Sequence, residues 1–65
     1  MEVRQTILTN GSSRAVVINE QDGLVWANLY VNARDGIANA SITPLRWSGR
    51  TMKGAKRWAE TLLAE

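Results

Sequence analysis

The sequence predicts an α+β domain, a four-stranded antiparallel meander sheet with one C-terminal helix packed on one face. Three observations carry that prediction. Asn10-Gly11, Asp22-Gly23 and Asp35-Gly36 punctuate the first two thirds of the chain, and each pair accepts the positive φ of a tight hairpin. The runs between them are rich in Val, Ile, Leu and aromatic residues, the composition of strands. Beyond Ser48-Gly49, Met52, Ala55, Ala59, Leu62 and Leu63 recur at helical spacing, which gathers them on one stripe.

Taken in order, strands are expected near residues 3–9, 14–19, 24–32 and 37–43. Connections this short forbid parallel crossovers, so neighbours in sequence are neighbours in the sheet. Pro44 cannot donate to a ladder and is expected to end the last strand. That makes one domain over residues 1–65, with sheet 3–43, loop 44–50 and helix 51–64. A two-residue loop at Asp22-Gly23 pairs Val16 with Leu29 and Ile18 with Ala27, while one at Asp35-Gly36 pairs Leu29 with Ile42 and Val31 with Ala40. With an even-length first loop, Val3 and Ile7 join the same side. One face then collects Val3, Ile7, Val16, Ile18, Val25, Ala27, Leu29, Val31, Ala40 and Ile42 under the helix. Trp47 and Trp58 are expected to pack between helix and sheet.

Composition narrows the function classes. A chain of 65 residues hides only ~60% of its unfolded surface, so its core is small or shared with a partner. There is no Cys and no His, which removes disulfides, zinc knuckles, thiol nucleophiles and imidazole bases. The six acids are scattered over termini, turns and the helix end, and nothing forces two of them into a facing carboxylate pair. No catalytic residue, metal site or cofactor is expected, and the chain does not read as an enzyme. No apolar run approaches the ~20 residues of a membrane span, and the N-terminus has no basic-then-apolar signal, so the expectation is a cytoplasmic protein without membrane contact. The sequons at Asn10 and Asn39 are read as accidents of composition.

Charge placement is more informative than the net +2. Between Gly36 and Ala59 there is no acid, while Arg46, Arg50, Lys53, Lys56 and Arg57 supply five cations. Such a segment suits phosphates or an acidic protein surface, and it equally describes a solvated helix face. The sheet face away from the helix is expected to carry Arg4, Thr6, Leu8, Val17, Trp26, Asn28, Tyr30 and Asn32, with no acid. Glu20 and Asp22 are expected to approach Arg46 and Arg50, leaving Lys53, Lys56 and Arg57 as the freer cations. A tryptophan in a field of amides suggests contact with something. Trp26 and Tyr30 suit stacking on bases, Asn28, Asn32 and Asn39 suit base edges, and Arg4 or the segment of Arg46, Arg50, Lys53, Lys56 and Arg57 suits phosphates. The expected partner is nucleic acid, single-stranded or duplex, or else an acidic protein surface met by a small inhibitor or adaptor module. Because a single layer leaves Trp26, Tyr30, Val17 and Leu8 uncovered, a homodimer or another partner is expected over that face.

Two stretches resemble known families. Ser41-Ile42-Thr43-Pro44 followed by Trp47, after four strands and before a helix, looks like the strand-to-helix junction of the transcriptional-coactivator family of dimeric single-stranded DNA binders. There the helix continues where this chain has Gly49. Ala55-Lys56-Arg57 with Ala59-Glu60 and Leu62-Leu63 resembles the closing helix of double-stranded RNA-binding domains, whose first helix has no counterpart here.

Overall fold

The computed structural model describes residues 3–10, 13–34 and 36–64. Four antiparallel strands, β1 (Arg4–Thr9), β2 (Ala15–Gln21), β3 (Leu24–Val31) and β4 (Ser41–Gly49), lie in one open sheet in the order β1-β2-β3-β4. The helix α1 (Met52–Leu63) packs on one face of it. Among the described residues no helix is long and apolar enough to cross a membrane.

The β2–β3 hairpin follows directly from its turn. Asp22 and Gly23 adopt φ of 53° and 80°, the paired positive values whose twist matches that of the strands they join. The ladder therefore pairs Val16 with Leu29 and Ile18 with Ala27, as the sequence predicts. Leu29 and Trp26, an odd number of residues apart on β3, lie on opposite faces.

Val16, Ile18, Val25, Ala27 and Leu29 form the core with Ala55 and Ala59 of α1. The two alanines let the helix backbone approach the sheet closely, and Leu8, Trp47, Met52, Trp58, Leu62 and Leu63 close the margins. The two tryptophans thus pack where expected. Thr51 caps the helix, its hydroxyl accepting from Gly54 N at 3.1 Å. At the other end Arg14 Nη1 donates to Leu62 O at 3.1 Å and Asn10 Nδ2 to Leu63 O at 2.9 Å. These donors satisfy carbonyls that the last helical turn leaves open.

The outer strands depart from expectation. In β1, Thr6 faces Ile18 and Leu8 faces Val16, because the connection over residues 10–14 is odd in length and inverts the parity that an even loop implies. Arg4, Thr6 and Leu8 therefore share the helix side, Leu8 packs on the core, and Ile7 turns outward with 45% of its surface exposed. Val3 precedes the strand and is also exposed. Gly11 of the expected Asn10-Gly11 turn lies outside the described residues.

The fourth strand is not 37–43. Residues Ile37–Asn39 form a short 3₁₀ turn, Gly36 precedes it with φ 108°, and no tight hairpin joins β3 to β4. Asp35 itself lies outside the described residues. β4 runs straight through Pro44, so most of the expected loop 44–50 is strand and the sheet extends to Gly49. Pro44 is tolerated because β4 is an edge and the ladder bulges there. In that bulge the Thr43 hydroxyl donates to Leu29 O at 3.0 Å, supplying a donor where the proline has none, and accepts from Leu45 N at 3.2 Å.

The register consequently pairs Tyr30 with Ile42 and Val31 with Ser41, not Leu29 with Ile42 and Val31 with Ala40. Ile42 is 59% exposed on the helix-free face, and Trp47, opposite Ala27, takes the place it was expected to fill over the core.

Candidate functional site

Three rows of side chains cross the helix-free face. Gln5, Asn19, Trp26 and Ser48 form the first, Ile7, Val17, Asn28 and Arg46 the second, and Thr9, Ala15, Tyr30 and Ile42 the third. Alternation along each strand puts all of them on one side. Gln5 Nε2 donates to Asn19 Oδ1 at 3.2 Å, which ties the polar end of the first row together. Trp26, Asn28 and Tyr30 are half-buried and Arg46 is exposed. By strand rise Trp26 and Tyr30 stand about 13 Å apart, and the Arg46 row falls midway between them. Among the described residues no acid occupies the three rows.

Trp26, Asn28, Arg46 and Ser48 border a shallow depression of about 430 Å³. It offers a ring face, an amide, a guanidinium and a hydroxyl within two adjacent strands. This set suits a flat heteroaromatic ring that carries a nearby negative charge.

The predicted site residues therefore divide. Trp26, Asn28 and Tyr30 are together on the helix-free face, as expected. Arg4 is not with them. Its pairing with Glu20 puts it on the helix side, where Nη1 lies 3.9 Å from Glu20 Oε1. Glu20 thus turns to Arg4 of β1 and not toward Arg46 and Arg50. Asn32 lies past the end of β3 with φ 60° and Asn39 lies in the 3₁₀ turn before β4, so both are outside the ladder. Arg50 occupies the connection between β4 and α1, while Lys53, Lys56 and Arg57 are exposed on the helix, across the sheet from the aromatic rows.

The sequence reading counts Arg46 among the cations but places it in a loop, and misses that it stands opposite Asn28 on the aromatic face. The signal for it is the alternation in Leu45-Arg46-Trp47-Ser48, a period-two pattern that continues the strand beyond Pro44. Comparison with protein-family models, with curated proteins and with solved structures finds no match for the chain.

Proposed function

We propose that the protein is a small binding module for nucleic acid, not an enzyme, with the helix-free face as its principal contact surface. The observation that carries this reading is the acid-free surface on which Trp26 and Tyr30 flank the Asn28 and Arg46 row. Base stacking contributes ~1–3 kcal/mol per base and needs only an accessible ring face, and a phosphate needs a cation beside it. A cytoplasmic setting accords with a chain that has no Cys.

A second reading rests on Ile7 and Ile42, which are 45% and 59% exposed on the same face. Such residues suit a protein partner or a second copy of the chain. Fluorescence anisotropy with labelled single-stranded DNA, RNA and duplex DNA separates the two readings. Trp26→Ala should weaken binding by ~1–3 kcal/mol with little change in salt dependence. Arg46→Gln should lower the salt slope by about 0.7. If the wild-type chain binds no nucleic acid tighter than about millimolar at low salt, the proposal fails and the protein-interaction reading replaces it.

A further inference from the structure

Resting on that reading, we infer that the ligand is a single strand that passes around the β4 edge, from the Trp26 and Tyr30 face past Arg46 and Arg50 to Lys53 and Arg57 on the helix. The stacking rings and most of the cations lie on opposite sides of one sheet. A duplex, stiff over about 150 base pairs, meets one side or the other. A flexible strand can meet both.

The two flanks of the helix decide the route. Gly54 lies against the ring of Trp47 in β4, and Thr51, Lys53, Gly54 and Arg57 border one depression of about 310 Å³. Lys53 and Arg57 thus reach the β4 flank, and with Met52, Lys56 and Glu60 they also border a depression of about 550 Å³ along the exposed ridge of the helix. Lys56, on the same ridge, extends to the other flank, where it borders depressions shared with Arg4, Thr6 and Glu20 and with Leu8 and Glu60. Arg50 sits where the chain leaves β4 for the helix, so Arg46, Arg50, Lys53 and Arg57 follow one another along the chain from that edge onto the helix, all of them exposed.

Along this route cations outnumber acids among the described residues. Glu20 is paired with Arg4, and Glu60 stands on the helix ridge with Lys56 and Arg57. Asp22 lies in the β2–β3 turn at the Arg50 end of the sheet and makes no ion pair with Arg50. Charge complementarity thus favours a polyanion on the β4 side over one on the β1 side.

Distance sets the length a ligand needs. The molecule measures 19 Å in its shortest dimension, and at ~3.4 Å per nucleotide that takes about six nucleotides to cross. An oligonucleotide of about four reaches the aromatic face alone, and one of about twelve reaches all four cations.

The test compares the salt dependence of binding for these two lengths, in deoxyribose and ribose forms, together with a duplex of the longer length. With ~0.7 of slope per phosphate contact on a single strand, the short ligand should show a slope near 0.7 and the long one near 2.8. Between about 50 and 200 mM salt this is a loss of about threefold against about fiftyfold. Replacing Lys53 and Arg57 together by Gln should bring the long ligand to a slope of about 1.4 and leave the short one unchanged, while Lys56→Gln should change neither. The deoxyribose and ribose arms report which sugar is preferred, and the route requires the length effect in the preferred one.

Equal slopes for both lengths, or no effect of the double substitution, would overturn the route while leaving binding at the aromatic face intact. A Lys56→Gln effect as large as that of Lys53→Gln would also overturn it, in favour of a diffuse field. Duplex binding as tight as single-strand binding would do the same. Absence of binding in every arm would remove the parent reading as well.

Discussion

Gly54→Ala should destabilise the protein, although alanine is the better helix former. Considered as helix alone, the change gains up to ~1 kcal/mol. A methyl group at Gly54, however, would stand 2.9 Å from Trp47 Cζ2 and 3.0 Å from the Thr51 Oγ1 that caps the helix. The indole cannot retreat along its own strand, because a Cβ at Gly49 would already be 2.5 Å from its Cη2. The ring lies across one glycine and under the other. Overpacking a site without slack costs ~1–3 kcal/mol, so the net change should be a loss of about 1 kcal/mol from a domain of this size class, where roughly 3–5 kcal/mol is usual. Trp47→Phe removes the benzo portion of the indole that makes both close approaches. In that background Gly54→Ala should recover its helical advantage and stabilise by up to ~1 kcal/mol, giving a coupling near 2 kcal/mol in the double-mutant cycle. Urea unfolding followed by far-ultraviolet circular dichroism reads this without relying on the altered indole fluorescence. A loss of about 1 kcal/mol corresponds to a midpoint shift of roughly 1 M or somewhat less. A wild-type background in which Gly54→Ala is stabilising, or a coupling below about 0.5 kcal/mol, would refute the pinned ring.

Two further outcomes test the sheet. Thr43→Val keeps the shape of the side chain but removes the donor to Leu29 O and the acceptor of Leu45 N. It should cost about 1–2 kcal/mol and speed amide exchange at Leu45, and unchanged exchange would show that the hydroxyl does not hold the bulge. At Gly23, where φ is 80° and nothing lies within 4 Å of an added Cβ, Ala should cost about 1–2 kcal/mol through backbone conformation alone. Asn, which tolerates the left-handed region, should cost less in the same thermal melt.

Legibility in the sequence follows from how many independent signals agree at each strand. For β2 and β3 the Asp22-Gly23 turn and the alternation of Val16 and Ile18 against Val25, Ala27 and Leu29 point to the same register, and the ladder adopts it. For β1 they cannot. Ile7 and Leu8 are adjacent, so either parity offers the core one large aliphatic residue, and only the length of the 10–14 connection decides between them. For β4 a rule applies with the wrong scope. Proline ends a central strand, but on an edge it removes a donor that need not face a neighbour, and Thr43 supplies the bond to Leu29 in its place. That single reading costs the site its cation, because ending the strand at Pro44 leaves Arg46 in a loop when it stands opposite Asn28.

The same correction changes what the helix-free face asks of a ligand. With Leu8 on the other side and packed on the core, the apolar content of this face falls to Ile7, Ala15, Val17, Ile42 and the two rings. Ala15 and Val17, on the second strand, are already 3% and 5% exposed within one chain, their neighbours in the rows having closed over them. The middle of the face therefore gains little from being covered again, since burial stabilises in proportion to the area it removes from water. What stays accessible is the half-buried Trp26 and Tyr30, the Asn28 and Arg46 between them, and Ile7 and Ile42 on the outer strands. A flat, hydrogen-bonding, negatively charged ligand uses the first two groups and ignores the third, whereas an apolar protein partner uses the third and must desolvate the guanidinium of Arg46 to reach it. The exposed arginine at the β4 end of the second row is thus the feature that favours the polyanion.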